Sequence, residues 1–292
     1  MIPAVNFHLW EPCNMRCQFC FATFQDVKKS ILPKGHLPKE QAIEVVSKLA
    51  KAGFQKITFA GGEPTLCGWL PELIATAKNA GLTTMIVTNG TNLTDEFLLA
   101  NQNILDWIAL SVDSLRDETN LATGRAVLGK KPITKSNYFS LVDKIKSYGY
   151  GLKINTVVNA KNCNENLSDF IIYSQPSRWK ILQVLPIIGQ NDLKIDSFLA
   201  SQEQFNYFLE NHKLLENITK IIPETNHQMK GSYVMVDPAG RFFDNTTGKH
   251  FYSDPILEVG CDTAIRQMNY DALKFDERGG NYTWERSKLK IA

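Results

Sequence analysis

The chain has 292 residues, 43% hydrophobic and 21% charged, a globular composition with length for one sizeable core or a core plus an extension. Its 32 basic and 30 acidic residues leave a net charge of +2, which excludes a bulk polycation; any attraction for anions must be local. No apolar run approaches the roughly 20 residues that span a bilayer. The start, MIPAVNFHLWEPCNMRC, has neither the basic beginning nor the apolar stretch of a signal peptide. The expectation is therefore a cytoplasmic protein, monomeric, with no nucleic-acid or membrane partner. Of six cysteines, three crowd into positions 13–20 and Cys67, Cys163 and Cys261 stand singly. In a reducing compartment such clustered thiols are metal ligands more readily than disulfides.

Short apolar, β-branched runs alternate with helix-period segments along the chain. Strands are predicted at 4–10, 55–60, 82–88, 104–112, 151–158 and 178–185. Helices are predicted from Pro38 to about Lys51, then near 69–80, 94–101, 135–148 and 165–175. Strands alternating with helices imply an α/β fold with a parallel sheet and helical crossovers. Six such repeats are too few for a closed eightfold barrel, so the prediction is a partial (β/α)6 barrel over residues 1–200. Beyond it, a helix at about 201–213, a hairpin around Pro238-Ala239-Gly240 and a polar, aromatic tail form an extension, 201–292, that closes the barrel mouth and contributes to its pocket.

The cysteines follow the first strand as Cys13-x3-Cys17-x2-Cys20. Three thiolates suit three irons of a [4Fe-4S] cubane, and the missing fourth ligand leaves one iron open for a bound molecule. The competing interpretation is a structural zinc site, with His8 or His36 as the fourth ligand. The spacing, the aromatic Phe19 before the third cysteine, and Gly61-Gly62-Glu63-Pro64 at the end of the second strand together resemble the radical SAM superfamily. That resemblance implies a [4Fe-4S] cluster and S-adenosylmethionine as cofactors. It implies Gly61, Gly62 and Glu63 at the methionine amino group, and Thr88, Asn89, Ser111 and Arg125 at the rest of S-adenosylmethionine.

Strand alternation gives an independent argument about what the barrel holds. Asn6 and His8 share one face of the first strand, Lys56 and Thr58 one face of the second. Lys153 and Asn155 share a face of the fifth, Arg178 and Lys180 of the sixth. The alternate positions (Val5, Phe7, Leu9, Ile57, Phe59, Ile154, Ile181) are mostly apolar and suit packing against helices. The polar set would then point into the lumen. Unpaired buried cations are costly, and no inward run of acidic residues is visible to neutralise them, so a polyanion is expected there. Without a G-x-x-x-x-G-K-[ST] loop, a triphosphate would be held by side chains and not by a P-loop. The bland alternative leaves these cations on strand rims in water.

A closer resemblance extends over almost the whole chain. NFHLWEPCNMRCQFCF (6–21), KITFAGGEP (56–64), Gly124-Arg125, KINTVVN (153–159), RWKILQVLPIIGQN (178–191), PETNHQMKGSYVMVDPAGRF (223–242) and RGGNYTW (278–284) are similar to the viperin family, particularly its prokaryotic members. The resemblance implies conversion of a nucleoside triphosphate, CTP by default and UTP or GTP as alternatives, to its 3′-deoxy-3′,4′-didehydro analogue, a chain terminator in antiviral defence. It places Lys153, Arg178, Lys180 and Arg278 at the phosphates, and Asn6, His8, Lys56 and Asn155 around the pocket. Tyr233 becomes a candidate hydrogen or proton donor, or else an aromatic in the extension's core. A flavodoxin- or ferredoxin-type protein would be the external electron donor. Two other enzyme classes, a GTP-cyclising and a peptide-modifying radical SAM enzyme, carry further clusters on C-terminal cysteines, where this chain has only Cys261. A non-catalytic iron–sulfur or nucleotide-binding module is disfavoured by the open coordination position and the GGEP turn.

Overall fold

A computed structural model of the chain describes residues 2–192 and 194–284. Residues 285–292, the end of the predicted extension, lie outside the described residues. In chain order the strands are β1 (Ala4–His8), β2 (Lys56–Ala60), β3 (Thr83–Thr88), β4 (Trp107–Ser111), β5 (Ala126–Val127), β6 (Lys131–Pro132), β7 (Gly151–Val158), β8 (Arg178–Gln183), β9 (Lys220–Glu224), β10 (Val234–Val236), β11 (Arg241–Asp244) and β12 (Phe251–Pro255). Ten of them form one sheet in the order β12-β11-β10-β1-β2-β3-β4-β7-β8-β9, and β5 and β6 make a separate hairpin. From β10 across to β9 every neighbour is parallel, while β11 and β12 run antiparallel at one edge. The edge strands β9 and β12 do not pair among the described residues, so hydrogen bonds do not close the barrel.

The six predicted strands are the six consecutive parallel strands β1, β2, β3, β4, β7 and β8. Two more parallel strands flank them. β9 escapes the pattern because Pro223 interrupts it; a proline is tolerated there because β9 is an edge strand, with one side free of ladder bonds. β10 is only three residues long. It pairs in parallel with β1, so the C-terminal part of the chain extends the same sheet. The predicted hairpin is the antiparallel pair β10–β11.

The crossovers form where their caps allow. Thr94 accepts a bond from the Phe97 amide, and Thr134 one from the Asn137 amide, at the starts of helices Asp95–Asn101 and Lys135–Ser147. Ser201 and Gln204 bond reciprocally at the start of helix Gln202–His212. Helix Lys39–Lys51 turns Ala42, Val45, Val46 and Leu49 inward. They meet Val5, Phe7, Ile57 and Phe59, the outward side of β1 and β2, in one apolar cluster that continues through Ile154 and Ile181. At about 25 cal/mol per Å² of apolar area removed from water, this layer between sheet and helices is the main stabiliser of the fold. With that side of the strands committed to helices, the alternate side faces the lumen.

Candidate active site

The lumen is a cavity of about 1030 Å³, at the upper end for small-molecule sites. Cys13, Cys17 and Cys20 line one part of it, on the loop leaving the C-terminal end of β1. The loop is held from two sides. Gly62 and Glu63 donate their amides to the carbonyls of Trp10 and Pro12, at 2.7 and 2.9 Å. A Cβ on Gly62 would stand 2.0 Å from the Pro12 oxygen, and one on Gly61, at φ +139°, 2.5 Å from the Trp10 oxygen. The two glycines are therefore needed for backbone to lie on backbone directly ahead of Cys13. On the other side Arg16 and Gln18 donate to the carbonyls of Gly124 and Thr123, both at 3.0 Å.

Glu63 is buried and fully occupied. Its Oε1 accepts from the Thr65 amide (3.1 Å), the Thr65 hydroxyl (2.7 Å) and the Thr88 hydroxyl (2.7 Å), and its Oε2 from the Asn89 amide (2.7 Å). Burial nevertheless raises its carboxyl above the ordinary range, a shift that an arriving ammonium group would oppose. Thr88 and Asn89 thus reach the cavity as partners of Glu63, and the Asn89 amide group donates onward to Asn14 in the cysteine loop at 2.9 Å. Ser111 lines the same wall. Arg125 does so paired with Asp113, a buried acid whose other oxygen accepts from the Val157 amide at 2.8 Å.

Lys56, Lys153, Arg178, Lys180 and Arg278 all line the cavity, as do Asn6, His8 and Asn155. Here the structure corrects the expectation that no acid faces these cations. Glu224, at the end of β9 and completely buried, meets the Lys180 ammonium at 2.6 Å and the Arg278 guanidinium at 3.3 Å, and accepts the Tyr233 hydroxyl. One carboxylate stands among five cations. Lys56, Lys153 and Arg178 make no ion pair among the described residues. Instead Lys56 and Lys153 both donate to the Tyr282 hydroxyl, and Arg178 lies 4.1 Å from that ring's centre while donating to the Gly279 carbonyl at 2.6 Å.

The cost of this crowding shows in the lysines. Burial, with Lys180 and other neighbouring cations adding to it, lowers Lys56 to about 7. Burial lowers Lys153 well below its ordinary value, with Lys56 contributing next. Lys180 falls to about 8, again through burial, with Glu224 opposing the shift. A polyanion in the cavity would reverse all three. Two buried polar atoms, His8 Nδ1 on β1 and Asn155 Oδ1 on β7, have no hydrogen-bond partner among the described residues. Tyr233 keeps its proton, since burial holds its hydroxyl well above the usual range.

The tail completes the cation cluster from the end of the barrel opposite the cysteines. Lys56 and Arg178 are the first residues of β2 and β8, and Trp107 the first of β4. Tyr282 packs edge-on against Trp107 at 6.2 Å, and the Trp107 indole donates to the Trp284 carbonyl at 2.8 Å. Arg278 anchors the tail by donating to the Ser232 carbonyl at 2.9 Å while lying 3.7 Å over the Tyr233 ring. Glu224 and Tyr282 are the residues sequence reasoning missed. Glu224 was legible only if KIIPE was taken as a strand; Tyr282 carried no signal beyond its place in RGGNYTW.

Residues 10–170 match the Radical SAM superfamily. The chain is 63% identical to an S-adenosylmethionine-dependent nucleotide dehydratase of Lacinutrix mariniflava, over 98% of this chain and 60% of that protein. It is 55% identical to one of Flammeovirga pacifica, over 98% of this chain and 97% of that protein. The chain belongs to the viperin family of radical SAM enzymes. The family's fold is shared more widely: anSMEcpe with bound AdoMet superimposes with a TM-score of 0.70 over 94% of this chain and 81% of that one, at 16% identity. Radical SAM enzymes use a [4Fe-4S] cluster and S-adenosylmethionine, and the residues present fit that pair. Among the described residues no three His, Cys, Asp or Glu side chains converge as ligands of a single metal ion. This disfavours the zinc alternative: His8 is packed against Phe21, Phe24 and Phe243, and His36 bonds the Leu37 carbonyl. The three ligands of a cubane stand on separate irons, farther apart than ligands of one ion. Burial pushes the Cys13 thiol up to about 11 and raises Cys20 too, so these thiols wait protonated for iron. No described helix is long and apolar enough to cross a membrane.

Proposed function

We propose that the chain dehydrates a nucleoside triphosphate, CTP by default with UTP and GTP as alternatives, to the 3′-deoxy-3′,4′-didehydro analogue, a chain terminator in antiviral defence. The observation that carries this reading is one cavity with three cysteines at one end and five cations balanced by a single carboxylate at the other. Bound together, the cluster and S-adenosylmethionine would supply a radical that removes the 4′ hydrogen; loss of the 3′ hydroxyl as water then takes up one further electron, from the external donor, and one proton. Cys13, Cys17 and Cys20 hold the cluster. Gly61, Gly62, Glu63, Thr88, Asn89, Ser111 and Arg125 form the S-adenosylmethionine side of the cavity. Lys153, Arg178, Lys180 and Arg278 hold phosphate oxygens, the arginines through their forked donors. Asn6, His8, Lys56 and Asn155 surround the nucleoside. Tyr233 remains protonated beside Glu224 and Lys180, the state a hydrogen or proton donor requires. In this reading residues 1–200 form the barrel unit and 201–292 the extension, in a cytoplasmic monomer served by a flavodoxin- or ferredoxin-type electron donor.

The test uses anaerobically reconstituted protein, S-adenosylmethionine, dithionite and each of CTP, UTP, GTP and ATP separately, with products analysed by mass spectrometry. A nucleotide lighter by one water, formed with 5′-deoxyadenosine, identifies reaction and base together. Formation of 5′-deoxyadenosine only with a non-nucleotide substrate would overturn the dehydratase reading and keep the radical chemistry.

A further inference from the structure

The proposed reaction consumes electrons, the first of them through the cluster, and this inference rests on that reading: it concerns where that electron enters. The cysteine loop is backed by the segment 123–128. The Leu128 amide donates to the Asn14 carbonyl at 2.7 Å, Arg16 and Gln18 bond Gly124 and Thr123, and Met15 bridges to Val127. The approach is so close that a Cβ on Gly124 would stand 2.1 Å from the Arg16 carbonyl oxygen.

That segment ends in the turn joining β5 to β6. The Gly129 and Lys130 amides donate to the Ala126 and Val127 carbonyls at 2.9 and 3.0 Å. Both central residues are left-handed, Leu128 at φ +52° and Gly129 at φ +71°. Such a turn favours Asn, Asp or Gly at its first central position. Here the position holds a leucine that is 65% exposed and joins no apolar cluster among the described residues. The backbone is strained and a large apolar side chain is held in water, and the fold's own packing explains neither. Leu121, three residues ahead of Gly124, is exposed as well. Arg16, Lys130 and Lys131 are exposed cations beside the turn. The acids nearest in sequence, Asp117 and Glu118, lie at the other end of helix Asp117–Ala122.

We propose that the Leu128 turn, with Leu121, Arg16, Lys130 and Lys131, is the docking surface for a small acidic electron-carrier protein that reduces the cluster held by Cys13, Cys17 and Cys20. An apolar centre with a cationic rim matches a transient redox contact, small in area and steered by charge. The transfer balances simply: the carrier loses one electron, the cluster gains one, and no proton or group moves.

The test separates the carrier from a chemical reductant. Leu128→Asn removes the apolar contact and suits the left-handed backbone, so the turn survives. Lys130→Glu combined with Lys131→Glu reverses the rim. Reconstituted protein, without S-adenosylmethionine or nucleotide, is mixed with reduced flavodoxin, and cluster reduction is followed by its visible bleaching and paramagnetic resonance. Both variants should be reduced about tenfold or more slowly than the parent, and the parent's rate should fall as salt is added. Dithionite should reduce all three equally, with equal iron content. Unchanged rates with flavodoxin would overturn the proposal, as would a parent that flavodoxin cannot reduce. Equal slowing with dithionite would also sink it, by placing these residues in cluster retention. Failure of the dehydratase reading looks different: no lighter nucleotide with dithionite, while reduction by flavodoxin stays sensitive to the turn.

Discussion

The Glu224 carboxylate lies 2.6 Å from the Lys180 ammonium at the inner surface of the sheet, joining the end of β9 to the middle of β8. Arg278 of the tail reaches the same carboxylate oxygen at 3.3 Å, so one buried acid fixes both a strand cation and the tail. Replacing it by glutamine keeps the shape and removes the one negative charge that, among the described residues, pairs with these cations. Breaking a buried pair from one side costs about 3 kcal/mol, or roughly 6 °C of melting temperature for a chain of this size. Thermal denaturation of Glu224→Gln should show that loss. Added nucleoside triphosphate should narrow the gap to the parent, because it supplies the missing negative charge.

The lysines should make binding of the proposed triphosphate pH-dependent. Lys56, near 7, and Lys180, near 8, are lowered chiefly by burial, so the empty site holds fewer protons than the same site facing phosphates. Binding therefore takes up protons, and affinity should fall about tenfold or more between pH 7 and pH 9. Calorimetry in buffers of different ionisation enthalpy reads the uptake directly. The sign for stability is opposite. Between about pH 7 and pH 10 the unfolded chain binds more protons at these lysines than the folded chain does, so their contribution to ligand-free stability rises with pH across that window.

Tyr282 holds the two least-compensated lysines through its hydroxyl and covers them with its ring. Tyr282→Phe removes the hydroxyl and keeps the ring. The ligand-free protein should lose about 1 kcal/mol. Triphosphate should bind severalfold more tightly by titration calorimetry, since its oxygens no longer compete with the phenol for Lys56 and Lys153.

Gly62→Ala places a methyl group 2.0 Å from the Pro12 carbonyl oxygen, a backbone contact that cannot move aside cheaply. The strand end would be pushed away from the cysteine loop. Reconstituted Gly62→Ala should carry well under half of the parent's iron and visible cluster absorbance. Lys180→Ala, far from that loop in sequence, should weaken triphosphate binding and leave the same spectrum intact.

Much of the site was legible because it follows from local rules. Alternation along a strand assigns faces, so Lys56, Lys153, Asn155, Arg178 and Lys180 could be placed on one side before any fold was known. The Cys13-x3-Cys17-x2-Cys20 spacing and the glycines ahead of Glu63 are likewise local. What was not legible depends on residues far apart in sequence meeting across the lumen. Glu224 escaped because a proline broke the only pattern that would have marked its strand. Tyr282 escaped because its partners, Lys56 and Lys153, are more than 100 residues away.

By itself, then, the sequence determined the order of strands and helices, which strand faces point inward, and the thiols available for a cluster, because each is set by side-chain periodicity or short spacing. Only the tertiary structure decided the charge balance of the cavity, the end of the barrel the tail closes, and the surface backing the cluster loop. Those depend on sheet register and on the path of the tail, where a single buried carboxylate or phenol alters the electrostatics of five cations at once.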